Sequence, residues 1–453
     1  MPQAALKEIL DAAGFQPELG AEIVGDDPVL PVRYRIAAAA SASLAALGLA
    51  VSSTPQRVRV NARAAAISLR SARYLRVNGR APPSPWDPLS GFYPVRDGWI
   101  SIHCNFPNHR DAAMSVLGAG HDRASAEQAS SAWRGEGLEE AIHAAGGCAG
   151  YVRSRERWNA HAQARAVAAQ PLLAIERIGD ASPEPRKDAR PLGGVRVLDL
   201  TRVLAGPTCA KSLAEHGADV LKISAAHLPD SGMTDLDTGL GKRSARLDLR
   251  NEKDFSILQE LVRGAEVFVQ SYRPGALAGR GFSPHAVSEI RPGIVYASLS
   301  AWGPTGPWRE RRGFDSIMQA VSGIAHDEGR EAGSGAKPRL LPVSAIDYVS
   351  GYLMAFGVCV ALARRSREGG SWLVRVALAR VGKWIIDRGE ARAYRAVPDD
   401  LPDSELAPLM AEMDAPEGRI RYLKPVLELS ETPPYFARPP VPLGYHQPVW
   451  TSS

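Results

Sequence analysis

The sequence has few cysteines, and those few form no recognisable pattern. Its 453 residues include only Cys104, Cys148, Cys209 and Cys359, which lie far apart and show no CxxC spacing. This distribution argues against a disulfide framework or a zinc site, and it fits a reducing compartment. The ten histidines form no HExxH motif either, so we expect no metal ion.

Long apolar runs are also missing. The longest candidates, 37–50 and 352–362, are shorter than the roughly 20 residues that a membrane span requires. The first residues show no basic stretch followed by an apolar one, which a secretory signal would need. We therefore expect a cytoplasmic protein that has no membrane partner.

Positive charge is not concentrated in one region. The chain has 54 Lys and Arg residues against 49 Asp and Glu, which gives a net charge of +5. The densest basic cluster, 308–313, is short and is interrupted by Glu310. Nucleic-acid binding requires clustered basic residues with interleaved aromatic rings, so we expect no nucleic-acid partner. Small acidic substrates remain compatible with this charge.

From residue 192 onward, strand patterns alternate with helix patterns. Helices are predicted at 252–263 and 348–364, and strands at 195–200, 219–223, 266–270, 294–299 and 372–377. This alternation predicts an α/β fold, with an open parallel sheet and helices on both faces. No GxGxxG motif follows the first strand, so nothing indicates a dinucleotide site.

Composition divides the chain into five parts. They are a helical N-terminal segment (1–85), a small α+β domain (86–178) with a predicted hairpin around Asp97-Gly98, a linker (179–191), the α/β domain (192–390) and a Pro-rich tail (391–453). An internal echo links the first part to the fourth. Gly48 and Val58 in the first correspond in order and approximate spacing to Gly357 and Val374, so the first part resembles a degenerate half-copy.

Asp347 lies at the start of the small-residue helix. Its position predicts a helix N-cap, in which the carboxylate accepts hydrogen bonds from its own helix. Alternatively, the carboxylate could attack an acyl carbon, with backbone donors and space supplied around Ser350 and Gly351. The residues alone favour the structural role.

Six ordered motifs in the α/β domain change this balance. They are LDLTRVLAGP (198–207), LAEHGADVLK (213–222), GKRSARLDL (241–249), SYRPG (271–275), YASLSAWGPTGP (296–307) and GFDSIMQA (313–320). Together they resemble the family III CoA-transferases, which include formyl-CoA transferase, carnitine CoA-transferase and 2-methylacyl-CoA racemase. That family has a Rossmann-like open sheet plus a smaller α+β domain. Its nucleophile is an Asp after a Pro-containing loop, and Asp347 matches it.

The resemblance implies an enzyme that moves CoA between an acyl-CoA and a carboxylic acid. Asp347 would form first an aspartyl anhydride and then an aspartyl-CoA thioester. CoA would be a substrate, and no separate cofactor is implied. Family members form interlocked dimers, so a homodimer remains open. The fused halves could also provide that contact within one chain.

The resemblance also implies a set of residues that line the CoA site. These are Arg202, Val203, Ala205, Leu247, Arg250, Ser271, Tyr272, Arg280 and Trp302. Other roles remain open for two of these residues and for two residues in the neighbouring GKRSARLDL motif. Lys242 and Arg243 could be a solvated pair, and Tyr272 and Trp302 could serve only in packing.

The chain departs from the family pattern at several points. Ser224 replaces the usual Glu after the second strand, and Phe314 replaces the racemase His, so transfer is favoured over two-base racemisation. The small domain precedes the α/β domain instead of following it. In the half-copy, Arg35 and Ile36 lie near the expected nucleophile position. Two alternatives therefore stay open: an inactive CoA-binding or scaffold protein, and an acyl-CoA isomerase or lyase that uses Asp347 as its base.

Overall fold

The N-terminal segment contains strands as well as the expected helices. The computed structural model describes residues 2–52, 54–84, 86–185, 188–331 and 337–451. The segment's elements are α1 (Pro2–Ala13), β1 (Ala21–Val24), α2 (Ile36–Val51), β2 (Val58–Asn61), α3 (Ala62–Ser68), α4 (Ser71–Tyr74) and β3 (Arg76–Val77). Every residue of α2 is buried, because its Ala-rich surface allows neighbouring elements to approach on all sides.

The small domain is built on an antiparallel hairpin. Its elements are β4 (Gly91–Val95), β5 (Gly98–Ile102), α5 (Pro107–Leu117), α6 (Arg123–Ser130), α7 (Gly135–Ala144), β6 (Ala149–Tyr151), α8 (Arg155–Asn159) and α9 (Ala162–Ala168). Strands β4 and β5 pair around the Asp97-Gly98 turn, which confirms the predicted hairpin, and β6 pairs with β5. The next strand, β7 (Ala174–Gly179), leaves this domain and joins the main sheet.

The main sheet occupies the centre of the α/β domain. The elements are β8 (Arg196–Leu200), α10 (Ala205–Glu215), β9 (Asp219–Ser224), α11 (Met233–Gly239), β10 (Lys242–Arg246), α12 (Glu252–Arg263), β11 (Val267–Gln270), α13 (Pro284–Ile290), β12 (Val295–Ser300), α14 (Asp315–Ser322), α15 (Ile324–Glu331), α16 (Ala345–Glu368), β13 (Ser371–Ala377) and α17 (Leu378–Asp387). The strands lie in the order β10-β9-β8-β11-β12-β13-β7. Only β7 pairs antiparallel with its neighbour.

Alternate residues along these strands enter two different cores. Val197, Val269 and Ala297 pack on the face that carries α10 and α16. Their neighbours along the same strands, such as Leu198 and Phe268, point to the opposite face and pack against α12 and α13. The two-sided burial confirms the predicted α/β fold, because an all-parallel sheet requires apolar cover on both faces.

The tail adds strands to the N-terminal segment. Its elements are α18 (Asp403–Leu406), β14 (Met410–Ala415), β15 (Gly418–Leu423) and β16 (Leu427–Leu429). Strand β15 pairs with β3, and β16 pairs with β2. Residues 1–85 are therefore completed by chain that lies more than 300 positions away in the sequence.

The internal echo has a counterpart in the packing. Helices α2 and α16 each carry a glycine against the strand that follows them. A Cβ atom at Gly48 would lie 2.6 Å from Cγ1 of Val58, and one at Gly357 would lie 2.6 Å from Cγ1 of Val374. The antiparallel partner is also repeated, since β16 flanks β2 as β7 flanks β13.

Helix α16 is the longest helix in the described ranges. Its 24 residues include an 18-residue window with a mean hydropathy of 1.6, which by length and composition would suffice to cross a membrane. The sequence predicted a shorter helix, 348–364. The whole window is buried inside the protein, so α16 is a core helix around which the other elements pack.

The contact between α10 and α16 requires a glycine. A Cβ atom at Gly351 would lie 2.7 Å from the Ala205 carbonyl oxygen and 2.7 Å from Cβ of Thr208. We predict that Gly351→Ala lowers the free energy of unfolding by about 1–3 kcal/mol, because the backbone of α10 would have to move. Urea unfolding followed by circular dichroism measures this change.

Gly137 provides a matched control. It lies in α7, and a Cβ atom there would meet nothing within 4 Å. We expect Gly137→Ala to be neutral or to stabilise by up to about 1 kcal/mol, as in an open helix position. Equal effects of the two substitutions would show that the α10–α16 contact is not tight.

Candidate active site

The strand order creates a crevice between β8 and β11. Numbered along the chain, the six parallel strands lie in the order 3-2-1-4-5-6, and the direction of winding reverses between β8 and β11. Ligands of open α/β sheets bind at such a point, outside the carboxyl ends of the strands. The loops that follow β8 and β11 are in contact at this point. The N–H of Arg202 in the first loop donates a hydrogen bond to Ser271 Oγ in the second, at 3.2 Å.

Val203 in the first of these loops has a strained backbone. Its φ of 69° lies in the left-handed region, which β-branched residues rarely adopt. Val203 also lines a large cavity next to the crevice. Such strain is usually found where surrounding structure holds a loop for a function.

The cavity has a volume of about 1060 Å³ and receives residues from four of the five parts of the chain. Its wall includes Arg70 and Arg73 from the N-terminal segment, Trp86, His103 and Phe106 from the small domain, Val203, Phe314, Asp315, Asp347 and Tyr348 from the α/β domain, and Leu443 from the tail. The cavity is therefore a product of the assembled fold and not of one domain.

Asp347 lines this cavity, and its carboxyl group has no hydrogen-bond partner in the described part of the chain. It is the third residue of α16, so it lies inside the helix and is not its N-cap, which corrects the structural interpretation of the sequence. Only 6% of the residue is exposed, and among the described residues its carboxyl group accepts no hydrogen bond. The carboxyl group is therefore not occupied by its own helix.

A second carboxylate performs the capping instead. Oδ2 of Asp315 accepts hydrogen bonds from the N–H of Ile346 at 2.9 Å and of Asp347 at 3.1 Å. Gln319 donates to the other oxygen of Asp315 and accepts from the N–H of Leu341 at 2.8 Å. Asp315 and Gln319 thus fix both the loop before α16 and the first turn of the helix.

The two carboxyl groups influence each other's ionisation. Burial raises the pKa of Asp315 to about 6, although its hydrogen bonds oppose that shift. Burial, and then the neighbouring charge of Asp315, raise the pKa of Asp347 well above its usual range. Negative charge on Asp347 is therefore costly, which makes the ionised form reactive towards an electrophile.

The expected oxyanion donors at the helix end are occupied. The N–H groups of Ile346 and Asp347 donate to Asp315, and that of Tyr348 donates to the Ser344 carbonyl at 3.1 Å. Ser350 is fully buried, and the space beside Gly351 is filled by α10. These three N–H groups are therefore not available as oxyanion donors, and the room beside Asp347 comes from the cavity and not from Ser350 or Gly351.

His103, from the small domain, lies in the cavity wall and contacts Phe314 of the α/β domain. Its ring stacks on Phe314 with centroids 3.9 Å apart and an angle of 6° between the planes. Burial, together with the nearby His109, lowers the pKa of His103 to about 3, so the imidazole is neutral. The side chain of Phe314 cannot carry a proton. The fold nevertheless places the imidazole of His103 directly against the Phe314 ring.

The predicted CoA-lining residues do follow the carboxyl ends of strands, but few of them reach the cavity. Among the nine, only Val203 lies in the described cavity wall. Arg202 lies next to it, 5.0 Å from the ring centre of Phe106, and Ala205 is buried where α10 begins. Ser271 and the largely buried Tyr272 follow β11.

Three further predicted residues lie together near the end of β10. Arg250 is exposed and pairs with Asp248, and Arg280 donates to the Leu249 carbonyl at 3.0 Å. Leu247 is buried in the core behind them. Trp302 is only 1% exposed and packs against Trp158 and Trp308, which is the packing role that the sequence had left open.

Lys242 and Arg243 are not a solvated pair, so that interpretation is wrong. The Lys242 ammonium is buried, 2.8 Å from Asp199 and 2.9 Å from the Pro207 carbonyl. Burial lowers the pKa of Lys242 to about 8, although the charge of Asp199 opposes that shift. Arg243 binds Asp219 and the Val449 carbonyl. Both residues stabilise strand ends and are not available to a ligand.

Comparisons with known proteins match part of the chain. The sequence profile described as CoA-transferase family III matches residues 192–397. This part of the chain is therefore similar to CoA-transferase family III. A human succinyl-CoA:glutarate CoA-transferase is 35% identical over 184 residues, which are 38% of this chain and 41% of the relative. An acetyl-coenzyme A transferase from Hypoxylon pulicicidum is 34% identical over 206 residues, 45% of this chain and 35% of the relative.

A longer match has a lower sequence identity. An acyl-CoA transferase from Gibberella moniliformis is 28% identical over 66% of this chain and 56% of the relative. The chain thus spans about half the length of the curated relatives it matches. Among solved structures, Rv3272 from Mycobacterium tuberculosis is 30% identical over 45% of this chain and 58% of its own, with a TM-score of 0.40.

Several residues of the candidate site were missed by sequence reasoning. Asp315 stands in the GFD motif, but nothing local indicates that it caps a helix 31 positions later. Arg70, Arg73 and His103 belong to parts of the chain outside the matched segment, and only the fold brings them to the cavity. Within the described ranges, no three His, Cys, Asp or Glu side chains are placed to hold a metal ion.

Removing the charge of Asp315 tests the coupling of the two carboxyl groups. We predict that Asp315→Asn lowers the pKa of Asp347, because a like charge is lost while an acceptor for the helix N–H groups is kept. Carbon-13 NMR titration of labelled Asp side chains measures this change.

Asp27 provides the control for this experiment. It caps α2 through the N–H groups of Ala37 at 2.9 Å and Ala38 at 2.8 Å, and it is not part of the cavity wall. Asp27→Asn should leave the Asp347 titration unchanged. An Asp347 pKa that does not move in Asp315→Asn, or that falls equally in Asp27→Asn, contradicts the coupling.

Proposed function

We propose that the protein is a CoA-transferase that moves CoA between an acyl-CoA and a carboxylic acid, with Asp347 as the nucleophile. The observation that carries this proposal is the free carboxyl group of Asp347, which faces the cavity while Asp315 caps its helix. The family III segment supports the same reaction class. The names of the relatives include CoA-transferases that act on succinyl-CoA with glutarate or malate.

The first half of the reaction loads CoA onto the protein. A carboxylate oxygen of Asp347 attacks the thioester carbon, the carbon–sulfur bond breaks, and a mixed anhydride and the CoA thiolate result. The thiolate then attacks the Asp347 carbonyl of the anhydride. This step releases the original acyl group as a carboxylate and leaves CoA on Asp347 as a thioester.

The second half reverses these steps with a different acid. The carboxylate of the incoming acid attacks the Asp347 carbonyl, and CoA leaves again as a thiolate. The thiolate attacks the acyl carbon of the new anhydride, which forms the new acyl-CoA and regenerates the Asp347 carboxylate. The energy of the thioester is conserved because water is kept from Asp347, of which only 6% is exposed.

The raised pKa of Asp347 gives the reaction a pH dependence. The attack requires the ionised carboxyl group, and burial beside Asp315 shifts the pKa upward. The rate of loading should therefore decrease as the pH falls through that raised pKa. The pH of half-maximal loading should lie above the value for an ordinary Asp side chain.

Hydroxylamine trapping tests the nucleophile. The protein is incubated with acetyl-CoA or succinyl-CoA and hydroxylamine, which converts an activated aspartyl carbonyl into a stable hydroxamate. We predict that mass spectrometry finds the hydroxamate on Asp347 and finds none in Asp347→Ala or Asp347→Asn. Asp27→Asn, which alters a comparable cap outside the cavity wall, should label as the wild type does.

The two alternatives give different results in the same experiment. An inactive CoA-binding protein binds CoA tightly without any hydroxamate on Asp347. An isomerase or lyase incorporates solvent deuterium at the α-carbon of the acyl group and transfers no CoA. Labelling of wild type and Asp347→Ala to the same extent would exclude Asp347 as the nucleophile.

A further inference from the structure

The N-terminal segment contacts the chain on both sides of Asp347. The Leu69 carbonyl accepts a hydrogen bond from the N–H of Ser344 at 3.2 Å. The Ser71 hydroxyl lies 3.0 Å from the hydroxyl of Tyr348. The residue between Leu69 and Ser71 is Arg70, which therefore lies beside the start of α16 and lines the same cavity as Asp347.

Arg70 is a buried cation with unused hydrogen-bonding capacity. Its side chain is 3% exposed, and Nη2 donates to the Asp399 carbonyl at 2.9 Å and to Asp400 at 2.7 Å. Its Nε and Nη1 have no partner among the described residues. Oδ1 of Asp400 also accepts from the hydroxyl of Tyr74 and the N–H of Leu401, so three donors hold this carboxylate in place.

Arg73, one helical turn later, remains available to a ligand. Its side chain is 55% exposed, and its guanidinium lies 3.9 Å from Asp400, beyond hydrogen-bond distance. Among the described residues it makes no side-chain hydrogen bond, and it lines the cavity. The nearest anion in the described ranges is therefore Oδ2 of Asp400 at 3.9 Å, and the donors of the Arg73 guanidinium remain free to bind a ligand.

The remaining charges of the cavity wall are mostly paired. Asp230 lies 3.4 Å from Arg246, Asp235 lies 3.4 Å from Lys222, and Asp315 caps α16. Asp347 and Glu417 are the other acids in the described wall, and Arg70 and Arg73 are its only Lys or Arg residues. The permanent positive charge of the cavity wall therefore lies at these two arginines, and an anionic ligand that enters the cavity is attracted to them.

We propose that Arg73, supported by Arg70, binds a second carboxylate of the acid substrate while the first carboxylate reacts at Asp347. The inference rests on the proposed function and adds a substrate class, the dicarboxylic acids. Arg73 is the residue that contacts the acid, and Arg70 is a positioning residue that holds Asp400 through its Oδ1. Arginine suits this role because its planar donors match a carboxylate.

A matched pair of acids tests this subsite. Succinate and butyrate both have four carbons and differ in the second carboxylate. With acetyl-CoA as the donor, we expect the wild type to prefer succinate over butyrate in kcat/KM by about 10- to 100-fold, the range for a charged hydrogen-bonded contact. Arg73→Gln should abolish most of this preference by lowering kcat/KM for succinate far more than for butyrate, whereas Arg73→Lys should retain part of the preference.

Arg63→Gln is the control for these variants. Arg63 lies in the same segment, but it is exposed, pairs with Glu405 and is not part of the cavity wall. It should keep the wild-type preference. Calorimetric binding of succinate and butyrate to the protein without CoA provides a readout that does not depend on transfer, so it separates failure of this subsite from failure of the proposed function.

The arginines could instead bind a phosphate of CoA, and the same variants distinguish the two sources. In that case Arg73→Gln raises the KM for acetyl-CoA and leaves the succinate preference unchanged, which overturns the proposal. Equal calorimetric affinities of the wild type for succinate and butyrate also overturn it. Hydroxamate formation on Asp347 without an added acid should persist in Arg73→Gln, because that half of the reaction involves no second carboxylate.

Discussion

The hydrogen bonds from the first turn of α16 to Asp315 are the interaction on which the site depends. A helix N-terminus has unsatisfied N–H groups, and an acid in its first turn would ordinarily help to satisfy them. Because Asp315 accepts hydrogen bonds from the N–H groups of Ile346 and Asp347, the carboxyl group of Asp347 is not needed to cap the helix and faces the cavity. Burying two acids side by side is costly, and the raised pKa of each reflects that cost.

The N-terminal segment repeats this arrangement without the carboxyl group that corresponds to Asp347. Asp27 caps the second and third residues of α2, as Asp315 caps those of α16, and the third residue of α2 is Ala38. The sequence echo had indicated Arg35 and Ile36 for that position. The repeat includes the glycine contact to the next strand, so the half-copy has kept the packing and the cap but has no carboxylate where Asp347 lies. Its contribution to the cavity is a pair of cations, Arg70 and Arg73.

Buried ion pairs fix the loops at the carboxyl ends of the strands. Lys242 reaches from β10 to Asp199 at the end of β8, and Asp199 also accepts from the N–H of Thr201 at 3.0 Å. Asp237 in α11 accepts from Lys211 in α10 and from Ser71 in α4, and so joins the α/β domain to the N-terminal segment. A buried charge needs such partners, and breaking one pair would leave the other charge uncompensated. These contacts hold the cavity walls of the α/β domain and the N-terminal segment in one arrangement.

The sequence by itself determined the α/β alternation, the hairpin at Asp97-Gly98, the family III motifs and the choice of Asp347, because periodicity, turn residues and ordered motifs are local properties of the chain. It did not determine the short strand β10, which begins with the Lys242 and Arg243 that sequence reasoning took for a solvated pair or ligand contacts. Only the tertiary structure decided that Trp302 packs in a core, that Asp315 and not Asp347 caps α16, and that Arg70, Arg73 and His103 line the cavity. Each of these outcomes depends on which distant segments meet, and no spacing along the chain encodes such a meeting.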